Sequence, residues 1–130
     1  MSDLPSPTGR ELEILKVLWD LGPSSVRSVY REMLAAQPDG KDRAYNTVQT
    51  LMRLMEDKGL VRHSVDGRAF IYEPTYSREQ SASRFLDRVF DGAASELVLS
   101  LLRSERITSD ELERMQDLIT QARQNRGSEG

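Results

Sequence analysis

Apolar residues return every three or four positions from the start of the chain, and the first run predicts an amphipathic helix. Leu12, Leu15, Leu18 and Trp19 fall on one face at helical spacing. Thr8 stands at the N-cap position. Glu11, three residues on, completes a capping box by reaching back to a free N–H. Gly22-Pro23 stops the helix, because glycine tolerates a left-handed cap and proline cannot continue the ladder. Ser24 or Ser25 then caps a second helix, with Val26, Val29, Tyr30, Met33 and Leu34 as its inner face. The polar stretch Gln37 to Arg43 carries turn chemistry. A third helix runs from about Ala44 to Lys58 on Val48, Leu51, Met52, Leu54 and Met55, with Gly59 as its C-cap.

The period then shortens. Val61 to Val65 and Arg68 to Glu73 are two short β-type runs with Asp66-Gly67 between them, a strong hairpin signal. Pro74 ends the second run. Helical spacing returns over about Ser77 to Phe90, carrying Phe85, Leu86, Val89 and Phe90, and over about Ala93 to Arg103, carrying Leu97, Val98, Leu101 and Leu102. A last helix begins at Thr108 or Ser109, with Leu112, Met115, Leu118, Ile119 and Ala122 in near-heptad spacing. The tail from Asn125 to Gly130 reads as disordered. The order predicts a mainly α fold with a small β-hairpin. A winged helix-turn-helix domain occupies residues 1–74, and a three-helix dimerisation region occupies 75–130.

Composition narrows the function classes without naming one. The 130 residues carry a net charge of −3, so the bulk numbers lack the basic footprint usual for nucleic-acid binding. Cysteine is absent, which excludes disulfide scaffolds, thiol catalysis and cysteine-ligated metals. The one histidine, His63, reads as a strand surface residue and leaves no multi-histidine site. No apolar run approaches the roughly 20 residues that span a bilayer, and the N-terminus lacks signal-peptide features. The expectation is a cytoplasmic protein without enzymatic activity, cofactor, metal or membrane insertion.

The third helix carries the sharper signal. Its non-core positions read Tyr45, Asn46, Thr47, Gln49, Thr50 and Arg53, with no acid among them. Amide, hydroxyl and guanidinium groups suit base edges: Asn or Gln to adenine, Thr to thymine, Arg to guanine or phosphate. From Lys41 to Arg68 the chain has six basic and four acidic residues, so this segment is locally positive. Arg68 follows the hairpin turn, where a wing meets phosphate. The same fold also serves as a protein-binding adaptor, and that reading stays open. The three C-terminal helices are too short to build an independent core in a monomer. Two copies could bury Phe85, Val89, Phe90, Leu97, Leu101, Leu112, Leu118 and Ile119 together. A twofold dimer would place two reading helices about 34 Å apart, matching a palindromic operator in double-stranded DNA.

Several ordered blocks resemble the BlaI/MecI family of penicillinase repressors. They are Gly22-Pro23-Ser24-Ser25-Val26-Arg27-Ser28-Val29-Tyr30, Ala44 through Leu54, Lys58-Gly59-Leu60-Val61-Arg62, Asp66 through Tyr72, Phe85 through Gly92, and Glu96-Leu97-Val98-Leu99. The likeness covers about residues 8 to 122. It implies a homodimeric winged-helix repressor whose third helix reads TACA/TGTA-type half-sites in promoters of antibiotic-resistance genes. By position it implies Asn46, Thr47, Gln49 and Thr50 as base readers. Ser25, Arg43, Tyr45, Arg53 and Arg68 become the candidate backbone contacts. The resemblance also implies a membrane sensor protease system as partner, with induction by cleavage at the bond matching Ser100–Leu101. The best-known members have Asn where this chain has Ser100. Copper-responsive relatives use a C-terminal cysteine cluster, and this chain has no cysteine.

Overall fold

The computed structural model describes residues 6–36 and 44–129. The Gln37 to Arg43 loop, and with it Arg43, lies outside the described residues. The chain divides into two compact units, Met1–Ala82 and Ser83–Gly130.

In the first unit, α1 (Gly9–Leu21) starts at the expected capping box. Thr8 Oγ1 accepts from the Glu11 N–H at 3.2 Å, and Glu11 Oε1 accepts from the Thr8 N–H at 2.9 Å. Its buried stripe is Glu11, Ile14, Leu15 and Leu18. Leu12, expected inside, is instead 37% exposed. Helical periodicity allows two overlapping stripes here, and Ile14 rather than Leu12 fits the one that meets the core. Burial of Glu11 is possible because Lys58 Nζ lies 2.7 Å from its second carboxylate oxygen. Burial alone would push the Glu11 carboxyl up. The Lys58 ammonium and the Thr8 hydrogen bonds outweigh it and hold the carboxyl below its usual range.

Gly22 stops α1 at φ 86°, ψ −168°, backbone that only glycine adopts without strain. Its N–H donates to the Leu18 carbonyl at 2.8 Å. The chain then makes an element that periodicity did not reveal: β1 (Ser24–Ser25), pairing antiparallel with Tyr72 and Ile71. Ser25 Oγ accepts from the Ser28 N–H at 3.1 Å and so caps α2 (Val26–Ala36). In α2, Val26, Val29 and Met33 are buried. In α3 (Tyr45–Asp57), Val48, Met52 and Met55 are fully buried, while Leu54 is 47% exposed and faces away from the core assigned to it above. Gly59, at φ 85°, closes α3: its N–H donates to Glu56 O and the Leu60 N–H to Met55 O, both at 2.9 Å.

Two strands follow, β2 (Val61–Asp66) and β3 (Ala69–Pro74), in register from Val61↔Pro74 to Asp66↔Ala69. The sheet order is β1-β3-β2. The two loop residues are Gly67 and Arg68, one position later than the Asp66-Gly67 reading. Gly67 has φ 66°, and Arg68 is not among the residues with positive φ. A glycine alone at positive φ in the first loop position is the type II′ pattern, which matches strand twist. Pro74 is the last strand residue rather than the residue after it.

The base of the hairpin is tied to the helices. Thr75 Oγ1 donates to the Gly59 carbonyl at 2.6 Å, and Trp19 Nε1 donates to the Tyr76 carbonyl at 2.9 Å. The core joins Ile14, Leu15, Leu18, Val29, Met33, Val48, Met52, Met55, Leu60, Val61, Tyr72 and Tyr76, with Trp19 packed against it. Truncating one of the large aliphatic members to Ala costs about 2–5 kcal/mol.

Helix α4 (Arg78–Phe90) begins in the first unit, where Ser77 and Gln80 cap it reciprocally at 3.0 and 2.8 Å. The second unit continues through α5 (Ala94–Arg103) and α6 (Ser109–Glu129). Glu105, at φ 58°, occupies the left-handed position that closes α5. Its N–H donates to Leu102 O at 3.2 Å and the Arg106 N–H to Leu101 O at 3.4 Å. Thr108 caps α6 with Glu111, in reciprocal bonds of 3.1 and 3.0 Å. The helix runs through the tail expected to be disordered. Gln121, Ala122, Arg123, Gln124 and Arg126 are good helix formers, and a lone Gly127 costs only about 1 kcal/mol without proline to break the ladder. Among the described residues, no side chain of the second unit is buried.

Candidate nucleic-acid interface

Three elements converge on one groove of about 520 Å³. The N-terminus of α2 supplies Ser25 and Arg27, α3 supplies Tyr45, Gln49 and Arg53, and the hairpin supplies Arg68 and Phe70. Five of the sequence-chosen residues therefore meet in one place. The Ser25 hydroxyl is engaged in capping, accepting from Ser28 N–H and donating toward Ser28 Oγ at 3.2 Å. Its contribution to the groove is the helix end that it organises, whose first N–H groups have no intrahelical partner.

Asn46, Thr47 and Thr50 line a shallower surface on the other side of α3, beside Leu51. Asn46, Thr50 and Arg53 are exposed, opposite the buried Val48, Met52 and Met55; Thr47 and Gln49 flank them and are half-buried. The outer face of α3 thus presents amides, hydroxyls and a guanidinium in one ridge, bordered on one side by the groove. Tyr45 is held by its neighbours. Its ring meets Tyr30 edge-on at 5.6 Å, and the Arg27 guanidinium lies 5.7 Å from its centre.

The helix ends around this groove differ from the others. Helices α1, α4, α5 and α6 each carry an acid in the first turn, where the helix dipole favours it. Helices α2 and α3 carry none. At the start of α3, the N-cap Ala44 makes no side-chain cap bond. At the start of α2, the first turn even holds a cation, Arg27. The α2 end is capped by the Ser25 hydroxyl with no acid beside it, and the α3 end receives no side-chain cap from Ala44. Arg27 was not among the sequence-chosen residues. A cation in a first turn, against the dipole, was the signal available for it.

The hairpin is fastened to α3. Glu56 Oε2 lies 2.7 Å from His63 Nδ1, and the His63 backbone N–H donates to the same oxygen at 3.3 Å. The imidazole stacks on Phe70 at 4.2 Å. Tyr72, buried beside them, has its phenol pushed up by burial and by Glu56, with Arg53 opposing. Arg68 sits at the tip of the turn.

The expected dimerisation residues are distributed over the second unit's helices. Phe85, Val89, Leu101, Leu112, Leu118 and Ile119 are exposed, and Phe90 and Leu97 are half-buried. Phe85 and Phe90 pack together at 6.2 Å. Ser100 and Leu101 lie in the middle of α5. Among the described residues, no helix is long and apolar enough to cross a membrane.

The chain is similar to known proteins in sequence and, over its first unit, in fold. The penicillinase repressor of Bacillus licheniformis is 25% identical over 125 residues, spanning 92% of this chain and 93% of that protein. The methicillin resistance regulatory protein MecI of Staphylococcus aureus (strain N315) is 23% identical over 113 residues, spanning 84% of this chain and 89% of that protein. The solution structure of the DNA binding domain of the repressor BlaI aligns with a TM-score of 0.50 at 27% identity, covering 60% of this chain and 90% of that one. The family profile described as penicillinase repressor matches residues 7–121. The chain belongs to the penicillinase repressor family, a family of repressors rather than enzymes.

Proposed function

We propose that this protein is a transcriptional repressor that binds palindromic operator DNA as a homodimer. The observation that carries the reading is the groove where the acid-free starts of α2 and α3, Gln49 and Arg53 from the outer face of α3, and the cationic wing tip meet, with Asn46, Thr47 and Thr50 on the adjoining surface of α3. Asn46, Thr47, Gln49 and Thr50 read base edges, as amides and hydroxyls do. Arg27, Arg53, Arg68 and the α2 N-terminus hold phosphates on either side and fix the register. Tyr45 positions the α2 end through Arg27 and Tyr30. The net charge of −3 does not oppose this, because two small cationic faces suffice for a dimer.

Homodimer formation is supported by the second unit. Three amphipathic helices with no buried side chain among their described residues need a partner surface, and a second copy supplies a complementary one by twofold symmetry. Each half-site alone offers few contacts, so affinity depends on that pairing. Cleavage at Ser100–Leu101 by a sensor-protease system would cut α5 through its apolar face and release the operator. Repression then proceeds by operator occlusion.

Binding to a duplex carrying inverted TACA and TGTA half-sites tests the reading. Asn46→Ala or Gln49→Ala is expected to cost about 1–3 kcal/mol on that site and to relax preference at one base position. Arg68→Ala should weaken all sequences alike and reduce the salt slope by about one. A flat salt response would instead support a protein-binding adaptor.

A further inference from the structure

We propose that His63 and Glu56 form a latch between wing and reading helix, so that operator affinity rises as His63 gains its proton. The inference rests on the operator-binding reading above. It makes His63 a positioning residue, acting on DNA through Arg68 and touching no nucleotide itself.

The wing needs such a fixture. Beyond its base the hairpin is a two-stranded ribbon, since β1 pairs only with Tyr72 and Ile71. Every residue of β2 after Val61 is exposed. A two-stranded ribbon is marginally stable alone, so its angle to α3 depends on side chains that bridge the two. Glu56 provides the bridge, accepting from the His63 backbone N–H and lying 2.7 Å from the ring nitrogen. The imidazole then lies flat on Phe70, its ring inclined by 14°. Phe70 is two residues from Arg68 and lines the same groove. A run of contacts therefore joins α3 to Phe70, two residues from the wing tip on the same strand.

Protonation strengthens this run in a defined way. Neutral imidazole can donate one hydrogen bond to Glu56, and the cation adds charge attraction to it. The other groups facing this pocket are Arg53 from α3 and Tyr72 and Phe70 from β3. Arg62, on the opposite face of the ribbon, is already paired with Glu73 at 2.7 Å. His63 is the one histidine in the chain, so a change in affinity near neutral pH that disappears on its replacement has a single source.

The test measures fluorescence anisotropy of the inverted TACA/TGTA duplex near pH 6 and near pH 8, at fixed ionic strength. The wild-type protein should bind about three-fold tighter at the lower pH, the scale of one partly exposed ion pair. His63→Gln and Glu56→Gln should each abolish this difference, and the double variant should add nothing. In an Arg68→Ala background the latch variants should have no further effect. Persistence of the pH effect in Glu56→Gln would mean that His63 charge acts directly on phosphate, and the latch is wrong. Wild-type affinities in both single variants at both pH values would overturn it equally. In the DNA-free protein, the Gly67 and Arg68 amide resonances should shift between pH 8 and pH 6, and should cease to do so in Glu56→Gln and in His63→Gln. That readout separates the latch from the operator reading: a wild type that ignores the duplex refutes operator binding, while unmoved wing amides refute the latch.

Discussion

Replacing Lys58 with Met isolates the contribution of the buried carboxylate at the start of α1. Glu11 is 2% exposed and its second oxygen is neutralised by Lys58 at 2.7 Å, while its first oxygen bonds the Thr8 N–H. Met keeps the aliphatic stem and removes the ammonium, leaving a buried anion with only its capping bond. Breaking one side of a fully buried pair costs about 3–5 kcal/mol. Lys58 is 37% exposed, so water screens the pair and the expected loss falls to about 1–2 kcal/mol. The pH dependence gives the sharper check. The folded-state pKa of Glu11 lies below its unfolded value, so its contribution to stability is present above that unfolded value, near 4.5. It is lost as pH falls through the lower folded value. Removing Lys58 raises the folded pKa and shrinks this contribution. The gap between wild type and Lys58→Met should therefore be largest near neutral pH and narrow as the solution is acidified below the unfolded value. Urea unfolding at neutral pH and at acid pH, at one protein concentration, measures it. An equal gap at both would refute the argument, because it would show a loss independent of the Glu11 charge.

Other substitutions probe separate features. Gly22→Ala forces a Cβ onto backbone reserved for glycine, and a loss of about 1–3 kcal/mol is expected in thermal or urea unfolding. Glu105→Gly relieves a left-handed residue at the end of α5 and should stabilise by about 0.5–1 kcal/mol, read as a higher midpoint. Leu97→Arg places a charge on the proposed dimer face; sedimentation should report a monomer and operator affinity should fall steeply. An unchanged dimer would move the interface elsewhere.

Local signals with a chemical mechanism were legible in the sequence. The Thr8–Glu11 box, the Gly22-Pro23 stop, the Gly59 cap and the Thr108 cap each stand where their residues said, because each is decided within four residues. Choices that depend on distant contacts were not. Leu12 and Ile14 satisfy helical periodicity equally, and only packing against the other elements of the core selects Ile14. Leu54 fits the apolar period of α3 but lies beyond the edge of the core. β1 is two residues long and exists only because β3 passes beside it. For the interface, Tyr45, Gln49, Arg53, Arg68 and Ser25 could be chosen by residue type, and they converge. Arg27 is not legible in the sequence, because one cation in a helix means little until its position against the dipole is known.

The acid-free N-termini of α2 and α3 set stability and affinity against each other. An engineer seeking a hardier protein would place Asp or Ser at Ala44 and an acid in the first turn of either helix, gaining about 1 kcal/mol apiece. Each such change would fill the pole that phosphate is proposed to occupy and repel the backbone from the groove. Selection for heat tolerance alone would thus disarm the protein, and designs guided only by folding energy would converge on well-capped variants that no longer repress. Melting temperature and operator affinity should consequently move in opposite directions across substitutions at these two helix ends, and together elsewhere in the core.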